Sequence, residues 1–135
     1  MVKNLDLWKK RLAKIPRAAR AAAAAQLEKE ADDLVAAIKR NVPVSQDSDP
    51  GTLRDSVRWE QHAEGKELSV TVIEDAKDGQ GKGFAPFVEF GHHKKTGQYV
   101  PAQPHFFPTY RARKKGIRRR MQAATRKAVR AEYDK

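Results

Sequence analysis

The stretch from Phe84 to Tyr110, FAPFVEFGHHKKTGQYVPAQPHFFPTY, constrains the fold more than any other part of the chain. It holds all five Phe, two of the three Tyr and four of the seven Pro. Side chains of this size carry most of the burial free energy of a small domain. Each proline fixes φ and removes a backbone donor, so Pro101 to Pro108 cannot run as a central strand or a helix interior. Two aromatic clusters, FAPFVEF and HFFPTY, flank the polar, glycine-bounded segment GHHKKTGQ. The pattern predicts a packed platform from which a loop projects towards a partner.

The flanks read as helix. Asn4 can cap a short helix over 5–15, with Leu5, Trp8, Leu12 and Ile15 on one stripe and basic residues around it. Pro16 ends that helix or opens the next. A longer helix is predicted over 17–41, with Leu27, Ala31, Leu34, Val35 and Ile38 on one face and Asn41 and Pro43 as its stop. The last helix is expected over 108–131, with Tyr110, Ile117, Met121, Ala124 and Ala128 forming a narrow apolar stripe. Gly116 weakens it by about 1 kcal/mol relative to Ala.

Residues 53–107 read as sheet and loops. VSQDSDPGT (44–52) is loop by composition. Leu53–Trp59 is predicted as a strand with an irregular start, and Glu67–Ile73 as a cleaner one with Leu68, Val70 and Val72 on one face. Gly65 would supply the hairpin turn between them. Glu74–Gly83 is a flexible linker of charges and glycines, because no helix pattern follows those glycines to make a phosphate loop.

With 135 residues the chain is expected to form a single domain, and without cysteine it has neither disulfides nor thiolate metal sites. No apolar run approaches the roughly 20 residues that span a bilayer, so no membrane role is expected. The formal net charge of +11 is uneven. Residues 1–40 carry +5, 41–110 carry −3, and 111–135 carry +9. So dense a basic tail calls for a polyanion or an acidic protein surface nearby. The residues that would meet it are Arg111, Arg113, Lys114, Lys115, Arg118, Arg119, Arg120, Arg126, Lys127 and Arg130. No aromatic residues are interleaved among them, so base recognition is not expected.

No catalytic arrangement stands out. Adjacent His92 and His93 on a strand would point to opposite faces, and His62 and His105 lie far away in sequence. Without HExxH or comparable ligand spacing, neither a metal nor a cofactor is expected. Glu89 lies in an otherwise apolar segment with no second carboxylate or nucleophile placed beside it by any motif, and an arginine, Arg54 or Arg58, is its expected partner. Ser56 lacks a G-x-S-x-G context. The chain is not expected to be an enzyme.

Four pieces in register resemble one family. They are Asn41-Val-Pro-Val44, Asp49-Pro-Gly-Thr-Leu-Arg-Asp-Ser56, Phe84-Ala-Pro-Phe-Val-Glu-Phe-Gly91, and Pro104-His-Phe-Phe-Pro108 leading into the last helix. Their order is similar to the tail-completion or head–tail joining (neck) proteins of long-tailed bacteriophages and gene-transfer particles. His92 and His105 depart from that family's usual pattern.

The resemblance implies an α+β fold, an antiparallel sheet of about four strands flanked by a long N-terminal and a C-terminal helix. It implies a structural virion protein of the neck, made in the bacterial host cytoplasm. Such a protein forms a homo-oligomeric, hexameric ring between the capsid connector or stopper and the tail terminator and tail tube. The ring leaves a channel for DNA, and a transient contact with double-stranded DNA is a further expectation. The protein interface would involve Glu89, Phe90, Gly91, His92, His93, Lys94, Lys95 and Gly97, together with the linker Glu74–Gly83 and the basic helix. A basic nucleic-acid-binding module is the alternative function, and a small nuclease ranks last.

Overall fold

The computed structural model describes the backbone of residues 3–43, 52–64, 67–77 and 81–134, and the side chains of 14–43, 52–62, 69–77 and 81–134. The elements in chain order are α1 (Lys3–Asn41), α2 (Thr52–Ser56), β1 (Arg58–Glu64), β2 (Glu67–Ile73), α3 (Ala85–Phe90), β3 (His92–His93), β4 (Tyr99–Val100) and α4 (Phe106–Tyr133). The fold is α+β, with a long helix at each end of the chain.

Pro16 does not separate two helices. A single α1 runs through it and begins at Lys3, one residue before the expected cap, Asn4. The side chains of Leu5, Trp8 and Leu12 lie outside the described residues, as do the loop 44–51 and Gly65. The end of α1 at Asn41 is as predicted, ahead of Pro43. Its face is also as predicted, since Ala31, Leu34 and Ile38 are buried, together with Ala37 and Val42.

The chain divides into two compact units. One comprises Met1–Glu30 and Lys115–Lys135, the other Ala31–Lys114, so α1 and α4 each contribute to both. The first unit is helical, and its α4 stripe of Ile117, Met121, Ala124 and Ala128 is half-buried. Glu30 is buried there and accepts two hydrogen bonds from Arg120, Nε at 2.5 Å and Nη2 at 2.9 Å. Gln26 donates a third, from Nε2 at 2.8 Å. A Cβ on Gly116 would come within 3.0 Å of Arg120 Nη1, so glycine leaves room for the guanidinium one turn further on.

Among the described residues, the second unit holds the fully buried hydrophobic side chains and all four strands. The expected strand Leu53–Trp59 is helical over its first part and becomes strand only at Arg58. Leu53 and Val57, four residues apart, are both buried, and α2 forms with the Ser56 hydroxyl donating to the Leu53 carbonyl at 2.8 Å. Asp55 and Ser56 are poor strand formers, and a short apolar pattern does not distinguish period two from period four. The strand starts at Arg58 and pairs with β2 antiparallel, from Arg58↔Ile73 to Glu64↔Glu67. Trp59 Nε1 donates to Asp32 Oδ1 of α1 at 2.8 Å.

Four strands form, but not one sheet. Two separate two-stranded sheets, β1–β2 and β3–β4, replace the expected four-stranded one. The reason lies in FAPFVEF, which folds as α3. Pro86 is tolerated in its first turn, where its missing N–H is not needed, and Ala85 and Glu89 fall on one buried face at i and i+4. The linker after β2 is closed at its base by a bridge between Lys77 and Gly83 and by the Phe84 N–H on the Ala76 carbonyl at 3.1 Å.

The GHHKKTGQ segment, expected as a projecting loop, forms a short, largely exposed hairpin. β3 pairs with β4 through His92↔Val100 and His93↔Tyr99, and the tip closes with Lys94 N–H on the Gln98 carbonyl at 2.8 Å. Gly91, where α3 gives way to this hairpin, has φ +78°, and a Cβ there would stand 2.8 Å from the Tyr99 hydroxyl and 2.9 Å from the Ala102 nitrogen. Gly97 at the tip has φ +86° with nothing within 4 Å. Gly91→Ala is therefore expected to lower stability by about 3 kcal/mol or more, from strain and collision together. Gly97→Ala is expected to cost only about 1–2 kcal/mol, from backbone strain alone. Urea denaturation of the two variants measures the difference.

Candidate functional site

Glu89 occupies the organising position of the second unit. It is 5% exposed, on the inner face of α3, and its partner is not an arginine. Its Oε2 accepts the backbone N–H of His105 at 2.9 Å and of Phe106 at 3.0 Å, and its Oε1 accepts that of Phe107 at 3.0 Å. These are the donors that a helix start leaves without intrahelical acceptors. The next residue, Pro108, has no N–H to satisfy. A carboxylate from α3 thus caps α4 in place of a local side chain, and its charge meets the positive end of the helix dipole. Of the two arginines expected beside Glu89, Arg58 instead bonds Asp75 through Nη1 at 2.6 Å and Nη2 at 2.9 Å, and Arg54 is exposed.

Further contacts pin the same junction. His105, 2% exposed, places Nε2 at 2.5 Å from Glu74 Oε1 and Nδ1 at 3.0 Å from the Gln103 carbonyl. The Gln103 N–H donates to the Val88 carbonyl of α3 at 2.8 Å. Thr109 donates its hydroxyl to the His105 carbonyl at 2.5 Å and accepts from Asn41 Nδ2 at 2.9 Å, joining the last residue of α1 to the first turn of α4. Burial pushes the Glu89 carboxyl upwards, but the three backbone donors and the nearby His105 charge outweigh it and hold the pKa below 4.5.

Above this buried cluster lies an open apolar groove of about 350 Å³, lined by Val72, Ile73, Ala85, Pro86, Phe90, Phe106 and Phe107, with Glu74 and Glu89 in its wall. The Phe90 and Phe107 rings sit 5.8 Å apart and those of Phe106 and Phe107 5.2 Å apart. Phe90 is nonetheless 64% exposed, Phe87 50% and Phe107 45%.

The residues expected at a protein interface differ in exposure. Glu89 is internal. Phe90, His93, Lys94, Lys95 and Gly97 are exposed, and Gly91 and His92 are half-buried. His92 packs its ring on Phe87 at 5.3 Å, and His93 packs on Tyr99 at 5.1 Å. Of the basic residues of α4, Arg111, Lys114, Lys115, Arg118, Arg119, Arg126, Lys127 and Arg130 are exposed and Arg113 is half-buried. Arg120 is committed to Glu30. Sequence reasoning missed His105 and Glu74. The signal available was a histidine next to the first residue of a helix whose third position is proline, a start that needs an acceptor from elsewhere.

Among the described residues no group of three or more His, Cys, Asp or Glu is disposed to hold a metal ion, and no helix is long and apolar enough to cross a membrane. The polar groups at this site are arranged to join three segments of chain, with an aromatic surface presented beside them. The model of the family described as "Bacteriophage HK97-gp10, putative tail-component" matches residues 8–91, more than half of the chain, and the protein belongs to it. The match spans α1 to Gly91 and stops short of α4. No curated protein and no solved structure matches the chain.

Two changes at Glu89 separate its charge from its shape. Glu89→Ala leaves buried main-chain donors unpaired and is expected to lower stability by about 3–5 kcal/mol. Glu89→Gln, which keeps one acceptor oxygen, should cost about half as much. Because the Glu89 pKa is depressed on folding, its contribution is complete above pH 4.5 and disappears as the pH falls through the folded-state value. The gap between wild type and Glu89→Gln in urea unfolding should accordingly narrow on acidification below pH 4.5.

Proposed function

We propose that this chain is a structural subunit of the phage neck, a tail-completion or head–tail joining protein. It would assemble as a homo-oligomeric, hexameric ring between the connector or stopper and the tail terminator and tube, leaving a channel for DNA. Its location would be the virion, after assembly in the host cytoplasm, and its work adhesive, with no chemical step. Membership of a phage tail-component family supports the coarse reading.

The observation that carries the finer one is the aromatic surface of the second unit. Phe87, Phe90, Phe107 and Tyr99 are each 45–64% exposed, and they stand on α3, the first turn of α4 and strand β4 of the hairpin. Exposed rings held by a rigid support are characteristic of surfaces that become the centre of an interface. The cap on α4, the Gln103–Val88 hydrogen bond and the positive-φ Gly91 supply that support. The hairpin tip, with His93, Lys94 and Lys95, would reach a neighbouring subunit or an adjoining ring.

The basic face of α4 supports an additional polyanion contact. Arg111–Arg130 contains no acidic residue, so nothing within that stretch offsets its cations. Like charges at i and i+4, such as Lys114 with Arg118 and Arg126 with Arg130, cost a helix about 0.2–0.5 kcal/mol per pair. An acidic ring surface or the phosphate backbone of passing DNA would relieve them. The same observation favours the second reading, a basic nucleic-acid-binding module.

Phe90→Ser and Phe107→Ser separate the two functions. Loss of an aromatic anchor typically costs about 2 kcal/mol of association or more, roughly thirtyfold in affinity. The expected result is variants that fold, fail to form rings in solution or on particles, and leave unjoined heads and tails in a complementation assay. Normal joining by both, together with tight duplex binding by the isolated wild-type monomer, would favour the nucleic-acid module instead.

A further inference from the structure

Capping α4 requires only Glu89, yet two further ionisable groups are buried with it. The side chains of Glu74 and Glu89 are each 5% exposed and that of His105 is 1% exposed. They come from three places in the chain: the segment leaving β2, the buried face of α3, and the residue preceding α4. The His105 ring meets acceptors on both sides. Nε2 faces Glu74 Oε1 at 2.5 Å, while Nδ1 faces the Gln103 carbonyl at 3.0 Å and Glu89 Oε2 at 3.3 Å. A neutral imidazole has one N–H and would turn a lone pair towards one of these oxygens, so only the imidazolium satisfies every partner.

We propose that Glu74, His105 and Glu89 form a proton-operated latch, closed while both ring nitrogens of His105 carry hydrogen and opened when one proton is lost. The charged groups facing the ring are the carboxylates of Glu74 and Glu89, and two buried carboxylates separated by a neutral ring lose the positive charge between them. The shorter contact, with Glu74, keeps the remaining hydrogen on Nε2. The Nδ1 lone pair then opposes the Gln103 carbonyl and Glu89 Oε2, so release falls on the α3 side of the junction. The Gln103–Val88 hydrogen bond and the Phe90–Phe107 ring pair bridge that same side. Opening would therefore loosen the Pro101–His105 segment and rearrange the aromatic rim of the groove.

The direction of the pH response follows from the site. Burial alone would favour the neutral ring, but the hydrogen bonds to Glu74 and the Gln103 carbonyl and the two carboxylate charges prevail, so the imidazole pKa lies above 6.5. The latch is therefore fully closed below pH 6.5 and is lost as the pH rises through the folded-state value. This inference does not depend on the head–tail reading.

The test is a pH titration of the isotope-labelled full-length protein by NMR. Ring carbon–proton resonances report the charge of His105, and amide exchange corrected for intrinsic rate reports the junction. His105 is expected to titrate above pH 6.5, with the Gln103, Phe106 and Phe107 amides shifting at the same midpoint. Exchange at Gln103 is expected to accelerate about tenfold per pH unit beyond that midpoint, where one proton controls opening. Glu74→Gln should lower the midpoint, with the wild-type titration standing by itself if that variant fails to fold. A ring neutral throughout, a ring that stays charged up to unfolding, or a titration that leaves amide protection unchanged would each overturn the proposal.

Discussion

One buried carboxylate holds the second unit together. Glu89 satisfies the backbone donors of three consecutive residues at the start of α4, His105, Phe106 and Phe107. A local Ser or Asp cap would have stabilised α4 equally well, typically by about 1 kcal/mol, but would have tied it to nothing else. An acceptor from α3 makes the cap a tertiary contact. The direction of α4, the fold of the Pro101–His105 segment and the placement of the exposed Phe rings all follow from that bond. A charge buried in this way is tolerated because each oxygen is occupied by a main-chain donor.

The same economy appears in the helical unit. Glu30 is buried and would be costly alone, so Arg120 and Gln26 take up its two oxygens. Gly116, which looks from the sequence like a weak point in a helix, provides the clearance under the Arg120 guanidinium. One of the ten α4 cations is thereby an internal structural element, while its neighbours Arg118 and Arg119 are exposed. Density of charge along the sequence did not reveal which was which, because consecutive helical residues point about 100° apart and only one of the three turns to the partner helix.

Much of the outline was legible beforehand. The apolar face of α1 from Ala31 to Ile38, the stop at Asn41, the strand Glu67–Ile73 with an antiparallel partner before it, and an exposed loop after Gly91 follow from periodicity and from turn residues that act over a few positions; the partner strand itself lies later than expected, at Arg58–Glu64 and not Leu53–Trp59. The misreadings share a cause. Pro16 looked like a break, yet a long α1 accommodates it. Leu53–Trp59 is a short apolar run in which strand and helix spacing coincide, and packing chose helix for its first half, while FAPFVEF, read only as an aromatic cluster, is helical as well. The strands that form are paired as two separate two-stranded sheets instead of one.

The candidate site was half legible. Glu89 stood out as a charge among apolar residues, and its burial was expected, but its partner was not the expected arginine. That partner is a set of main-chain N–H groups, which have no sequence signature, and the two residues that complete the cluster lie 15 positions before and 16 positions after it. Amino-acid order by itself determined that both ends of the chain are helical, that the last helix carries an exposed basic face and that the aromatic residues cluster in 84–110, since propensity, periodicity and proline geometry act over short distances. Only the tertiary structure decided which acceptor meets which donor, because hydrogen-bond partners are matched across space once the backbone has brought distant segments together.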